Sequence, residues 1–234
     1  LKTLGRKRIP FLEWGYIILI ATLFQAVIAS IVLIILPLFF LPRERSSKKF
    51  FSWNKMRVFL YFLSLGFAYM FLEISFIQRF TLFLYYPIYT VAVVITGFLT
   101  FSGLGSGFSS RFISRRRYGI TLSLIGIAGL SSIYIIYLRS LFLSMIALPD
   151  WLKISISLGL IAPLAFFMGM PFPLGLSRVS RRKSSLVPWA WGINGCASVI
   201  STILASVFAI SGSFTFVGFS AIFLYILAYL TYPS

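Results

Sequence analysis

One carboxylate inside a long apolar run constrains this chain more than any other feature. Glu73 lies within residues 58–77, a stretch that is otherwise largely apolar. The chain has four acidic and 21 basic residues, and the other three acids flank apolar segments. A carboxylate at membrane depth costs a few kcal/mol, and such residues usually face a partner or a cavity rather than lipid. We therefore expect the fold to provide a protected place for Glu73.

The apolar content assigns the chain to the membrane proteins. Of its 234 residues 59% are hydrophobic and only 11% are charged, whereas soluble domains carry about 25% charged residues. Several apolar runs reach about 20 residues, which is the length needed to cross a hydrocarbon core of about 30 Å. The runs are continuous rather than alternating, so they favour helices over a membrane β-barrel. The sequence predicts an all-α, polytopic transmembrane helix bundle.

About seven spans are predicted, and together they form one transmembrane helical domain, 14–232, after a basic N-terminal segment, 1–13. In this division Gln78 and Arg79 close the second span, and the short apolar piece 140–148 forms an interfacial or re-entrant turn. The approximate limits of the spans are 14–41, 56–77, 87–112, 118–138, 151–176, 188–210 and 214–232.

Basic residues alternate between the connections. The first, third and fifth connections carry six, four and four Lys and Arg, while the second, fourth and sixth carry one, two and zero. The positive-inside rule then places the basic loops 42–55, 111–117 and 178–183 in the cytoplasm. The four basic residues before the first span conflict with this order, so the side of the N-terminus stays open.

Several classes of site are not expected. The chain has no histidine and a single cysteine, Cys196, which excludes an internal disulfide, a His-ligated haem and an imidazole zinc site within it. The sequence contains no nucleophile–base pair, paired carboxylates or metal-ligand spacing, so we expect no cofactor, no metal and no catalysis by this chain alone. The net charge of +17 is assigned to topology and to anionic lipid headgroups, not to nucleic acid.

Five residues form the candidate intramembrane polar site. Tyr69 precedes Glu73 by four residues, so on a helix its hydroxyl could donate a hydrogen bond to the carboxyl. Gln78 and Arg79 follow, and Arg79 lies near the end of the span, from where it can snorkel to the interface. Asn194, near the start of the sixth span, either bonds a helix end or joins the site. Two interpretations remain open: the carboxyl pins helix packing, or it handles protons or cations.

Small residues predict close helix contacts. Gly103 and Gly107 have the small-xxx-small spacing, and Gly195 and Ser198 belong to a comparable ridge on the sixth span. Such spacing lets two helix backbones approach each other in lipid. The stretch 169–175 contains two prolines and cannot be a regular helix interior. It is either a broken helix of the kind that forms transport sites or a helix end at the basic surface.

Three groups of motifs carry a family resemblance. Residues 71–80 (FLEISFIQRF) with 101–106 (FSGLGS), residues 168–175 (MGMPFPLG) and residues 187–195 (VPWAWGING) resemble the membrane region of spermidine-synthase-like bacterial membrane proteins. In that family, transmembrane helices accompany a Rossmann-type aminopropyltransferase-like or methyltransferase-like domain. This chain has no such unit, so the resemblance covers the membrane part alone.

The resemblance implies the plasma (inner) membrane of a bacterium as the location, and it implies the first and third of three hypotheses about function. In the first, the chain is a non-catalytic membrane domain or accessory subunit that anchors a partner or a larger membrane complex, with other membrane subunits as its partners. In the second, which follows from Glu73 and the prolines of 169–175, it is a transporter or channel for a small cationic solute that uses Glu73. In the third, it is the membrane part of an enzyme whose Rossmann domain lies upstream, since residue 1 is Leu rather than Met and we expect the chain to continue in that direction.

Overall fold

A computed structural model describes residues 10–32, 53–112, 116–182, 184–211 and 214–233 as a helical protein. Those residues contain no β-strand, which confirms the all-α prediction for that part of the chain. Short 3₁₀ turns, Ser110–Phe112 and Ser184–Leu186, lie between helices. The α-helices are α1 (Pro10–Ser30), α2 (Trp53–Leu84), α3 (Pro87–Ser109), α4 (Arg116–Ser144), α5 (Asp150–Met168), α6 (Pro171–Arg182), α7 (Val187–Ser211) and α8 (Phe214–Thr231).

Five helical segments among the described residues are long and apolar enough to cross a membrane. The chain is therefore a helical protein with the composition of a multi-pass membrane protein. Helices α1 and α8 contribute shorter apolar stretches, Ile17–Ser30 and Thr215–Thr231. The count of seven spans stays a prediction, and residues 33–41 of the predicted first span lie outside the described part. The five segments are Lys55–Leu84, Pro87–Phe112, Arg117–Ser144, Asp150–Arg182 and Ser184–Phe208.

Helix α2 is the centre of the bundle. It packs along α7 and α8 and also touches α3, α4, α5 and α6, whereas α1 packs chiefly on α7. Its 32 residues extend over about 48 Å at 1.5 Å per residue. The rings of Tyr61, Phe62 and Phe80 are fully buried. The helix that carries Glu73 is thus the most enclosed of the five long apolar segments.

The helices alternate in direction. Tyr61, near the start of α2, packs on Tyr232 beyond the end of α8, and Arg79, late in α2, reaches Thr215 at the start of α8. By similar contacts α2, α4 and α7 run one way and α3, α5 and α8 the other. One end, the basic end, therefore gathers Lys55, Arg57, Arg111, Arg117, Arg178, Arg181 and Arg182. The opposite end, the aromatic end, holds the α2–α3 turn with Tyr85 and Tyr86 and the α4–α5 connection before Trp151.

The predicted end of the second span is wrong. Helix α2 does not close at Gln78 and Arg79 but continues to Leu84. The physical reason is that the Arg79 guanidinium finds hydrogen-bond acceptors on neighbouring helices, so the charged residue does not have to leave the bundle.

The predicted turn at 140–148 is also only partly present. Helix α4 continues through Ser144, and the chain turns only between Met145 and Pro149. The ring of Phe142 stacks on Phe83 of α2 with 4.4 Å between ring centroids. This aromatic contact extends the packing of α4 on α2 by about one helical turn beyond the predicted end of the span.

The predicted helix break lies between α5 and α6. The chain leaves the helix at Gly169 and Met170, and both prolines that follow lie in the first turn of α6, where their missing N–H groups would have no intrahelical partner. The Tyr61 hydroxyl donates to the Pro171 carbonyl at 2.6 Å. Its ring lies where a Cβ on Gly175 would be. The break thus receives the side chain of a buried tyrosine from α2.

Two glycines let α3 and α5 touch through their backbones. A Cβ on Gly105 would collide with the carbonyl of Phe166, and a Cβ on Gly169 would collide with the carbonyl of Ser102. The two contacts are reciprocal, because α3 contributes Gly105 and the Ser102 carbonyl, and the end of α5 contributes the Phe166 carbonyl and the adjoining Gly169. Close helix approach of this kind is common in membrane proteins.

The glycines that the sequence predicted to pack, Gly103 and Gly107, do not take part in this contact. A Cβ on Gly103 or Gly107 would meet nothing within 4 Å, so neither packs against another helix of the described chain. A packing role for these two requires a neighbour outside the described residues and stays a prediction. Gly195 and Ser198 are half-buried in α7, and the Ser198 hydroxyl donates to the Asn194 carbonyl at 2.9 Å.

Replacing Gly105 with alanine should lower the free energy of unfolding by about 1–3 kcal/mol, because the new methyl group overpacks a backbone contact. Gly107→Ala is the matched control on the open face of the same helix. Alanine has the same intrinsic helix propensity at both positions of α3. The quantity to measure is therefore the difference in unfolding free energy between the two variants, by chemical unfolding in detergent. Equal stability of the two variants would contradict the α3–α5 crossing.

Candidate functional site

Glu73 lies in the interior of α2 with 7% of its surface exposed. Residues four and seven positions away on a helix share its side. Gly66 packs on α7, where an added Cβ would lie 2.7 Å from Cβ of Ala197. The ring of Tyr69 packs on Phe98 of α3, with 6.1 Å between centroids. The side of α2 that carries Glu73 therefore faces the region between α7 and α3.

The Glu73 carboxyl has no hydrogen bond or ion pair to any residue that the structure describes. The expected bond from Tyr69 is not formed, because the Tyr69 hydroxyl lies 3.3 Å from the Ser102 hydroxyl of α3. Burial without a partner is costly for a carboxyl group in either protonation state, and more so for the charged one. For the pinning interpretation, in which the carboxyl is protonated or bonded to another span, the described helices supply no such bond, and the protonated form stays a prediction.

Arg79 joins three helices instead of pairing with Glu73. One guanidinium nitrogen donates to the carbonyls of Tyr134 and Ile135 on α4, at 3.3 and 3.4 Å. The other donates to the Thr215 hydroxyl at the start of α8, at 3.4 Å. That Arg79 can snorkel to the interface stays a prediction, since one of its acceptors is Thr215 at the exposed start of α8.

The two predicted amides also lie apart. The side-chain oxygen of Gln78, Oε1, is buried and has no hydrogen-bond partner among the described residues. Five residues along a helix turn its side chain well away from Glu73. Asn194 lies inside α7, with its side-chain oxygen 3.1 Å from the place of a Cβ on Gly66. Gly66 is seven residues before Glu73, which is about 10 Å of helix rise.

The five predicted residues therefore do not converge on one site. Tyr69 turns to α3, Arg79 to α4 and α8, and Asn194 lies about two turns from Glu73 along the α2–α7 contact. What the arrangement offers chemically is a single enclosed carboxyl group that can take up a proton or a small cation. Among the described residues, no group of three His, Cys, Asp or Glu side chains could hold a metal ion.

The basic end holds a polar cluster that the sequence did not single out. Arg57 donates to the carbonyls of Leu230 and Tyr232, at 3.3 and 3.2 Å. The guanidinium of Arg178 lies 5.6 Å from the centre of the Tyr232 ring. A cation at the carboxyl end of a helix is stabilised by the helix dipole. The cluster therefore caps α8 and fastens it to α2 and α6.

A second residue was missed at the aromatic end. Lys153, in the first turn of α5, is only 5% exposed. Its ammonium lies 5.0 Å from the centre of the Tyr85 ring and 5.8 Å from that of Phe83. The signal was present in the sequence, because Lys153 falls inside the predicted span 151–176. The count of basic residues by connection assigns Lys153 to the fourth connection instead.

Comparison of the chain with protein-family models, with curated proteins and with solved structures gives no match. The similarity of its short motifs to spermidine-synthase-like membrane proteins thus stays a prediction. Function has to be argued from the helices themselves, from the enclosed carboxyl of Glu73 and from the bonds that the other polar side chains make.

Proposed function

We propose that these residues form a non-catalytic integral membrane domain or accessory subunit that anchors a partner in a larger membrane complex. The observation that carries this proposal is that polar side chains between the helices form hydrogen bonds to neighbouring helices. The hydroxyls of Tyr61 and Tyr134 donate to carbonyls of α6 and α5, at 2.6 and 2.7 Å, and Arg79 donates to α4 and α8. Polar groups bonded to the backbone of neighbouring helices hold a scaffold together.

The outer face of α3 supports a membrane subunit as the partner. Gly103 and Gly107 open onto free space, and Leu99 and Leu104 beside them are 64% and 59% exposed. A stripe of small residues flanked by leucines admits another transmembrane helix at short distance.

The proposal includes the membrane region of a spermidine-synthase-like protein as the identity of the domain. The reading frame upstream of residue 1 checks that part directly. A reading frame that encodes no nucleotide-binding unit, in this gene or in its neighbours, would count against it.

A photo-reactive residue in place of Leu104 should form a discrete protein adduct when irradiated in native membranes, because the α3 face would lie against the partner. The same residue in place of Ile125 on α4, which is 66% exposed, should react with lipid alone. Denaturing electrophoresis separates the two results. Absence of a protein adduct at position 104, or the same adduct at both positions, would contradict the anchoring function.

We also propose that the chain makes seven crossings of an inner membrane with its basic end in the cytoplasm. The gathering of the described basic residues at one end supports this orientation. In a Cys196→Ser background, a cysteine replacing Arg182 should react with an impermeant maleimide only in inverted vesicles. A cysteine replacing Tyr86 should react only in intact spheroplasts. The reverse pattern would place the basic end outside.

Transport of a small cation is the second candidate function. It is favoured by one observation, the enclosed Glu73 carboxyl that has no partner among the described residues. Ionisable groups inside a membrane commonly mark ion or proton pathways. In this proposal the carboxylate is the counter-charge that a monovalent cation meets between α3 and α7.

Glu73→Gln should reduce cation uptake into proteoliposomes to background, because the amide keeps the shape of the side chain but cannot become negative. Asp150→Asn, which changes an exposed acid at the start of α5, should leave uptake unchanged. Helix content measured by circular dichroism verifies that both variants are folded. Undiminished uptake by Glu73→Gln would remove the transport hypothesis.

A further inference from the structure

We propose that Lys153 and Tyr85 form a binding site for a phosphate group at the aromatic end of the bundle. The ligand class is a phospholipid headgroup or free phosphate, which share the same oxyanion chemistry. The proposal goes beyond both functions considered above and does not depend on either of them.

The first observation is a largely buried lysine side chain that has no counter-ion among the described residues. Lys153 is 5% exposed, and among the described residues its side chain has no hydrogen bond or ion pair. Asp150, one turn earlier, is exposed and forms no salt bridge with it. The first turn of a helix is moreover the position where a positive charge opposes the helix dipole. A buried charge in such a place is ordinarily compensated by an anion.

The second observation is a strained tyrosine beside that ammonium. Tyr85 has φ 62°, and it is the one residue other than glycine with positive φ in the described chain. This conformation is unfavourable for a residue with a Cβ, and strained residues cluster at ligand sites. The Tyr85 ring lies 5.0 Å from the Lys153 ammonium. The Lys153 ammonium thus lies beside two aromatic rings, that of Tyr85, whose backbone has positive φ, and that of Phe83.

The depth of the site indicates the ligand. Lys153 lies at the beginning of the segment Asp150–Arg182, and Tyr85 connects two other membrane-length segments. Tyr86, Tyr89 and Trp151 around it are 60%, 63% and 68% exposed. Tyrosine and tryptophan collect at the depth of lipid headgroups. At that depth the phosphate of a lipid is the anion at hand, and an ammonium–phosphate hydrogen bond is among the stronger ones.

Neighbouring cations do not offer the same site. Arg79 is bonded to carbonyls of α4 and to Thr215, and Arg139 is exposed at the end of α4. The clustered arginines all lie at the opposite, basic end. Phosphate binding at Lys153 would therefore be a local property of one enclosed ammonium, separate from the general attraction of anionic lipids to basic loops.

The test is native mass spectrometry of the purified protein titrated with dioleoyl-phosphatidylglycerol, in the absence and presence of inorganic phosphate. Lys153→Gln should bind the lipid about tenfold more weakly, as expected for loss of one charge-assisted hydrogen bond. Lys153→Arg should retain most of the binding. Arg139→Gln, which removes an exposed charge at the same end, should bind like the wild type.

The arms of the titration separate the two sources. Lipid binding that inorganic phosphate does not displace assigns the site to a lipid headgroup, and displacement in the wild type but not in Lys153→Gln assigns it to free phosphate. Equal affinity of wild type and Lys153→Gln, or an equal loss in Arg139→Gln, would overturn the proposal. Should Lys153→Gln not fold, Tyr85→Leu takes its place, with weaker lipid binding expected and unchanged binding overturning the proposal.

Discussion

Polar side chains inside this bundle must find their partners on other helices, because a bilayer core offers neither hydrogen-bond donors nor acceptors. The central helix α2 carries most of them. Tyr61 bonds α6, Tyr69 lies against α3, and Arg79 bonds α4 and α8. Each bond fixes the rotation of one neighbour around α2. The arrangement of the bundle thus depends on a few directed contacts in addition to apolar packing.

Fold class followed from the sequence because bilayer thickness sets the length of an apolar helix and composition alone reveals such lengths. The predicted ends of two spans were wrong where contacts with other helices determine how far the helix continues. Gln78 and Arg79 were interpreted as the end of a span, since charged residues usually mark an interface. They continue the helix because Arg79 finds acceptors on α4 and α8. In the same way Phe142 extends α4 through its contact with Phe83, a partner distant in sequence.

The candidate site was predictable in one respect only. That Glu73 would be protected follows from its cost in lipid, and it is buried. Which way Tyr69 would turn does not follow from helix spacing, because spacing along α2 places it near Glu73, whereas the Ser102 hydroxyl that it meets belongs to α3. The glycines show the same limit. Gly103, Gly105 and Gly107 lie in one short stretch, and only the position of α5 decides that Gly105 is the one in contact.

The reciprocal contact between α3 and α5 has a mechanical consequence. Gly105 and Gly169 each face a carbonyl of the other helix with no side chain between them. Contacts through side chains adjust by changing rotamers, whereas two rigid backbones in contact have no such freedom. Helices α3 and α5 therefore move as one rigid body. Any rearrangement of the bundle has to occur at other helix pairs, where side chains rather than backbones are in contact.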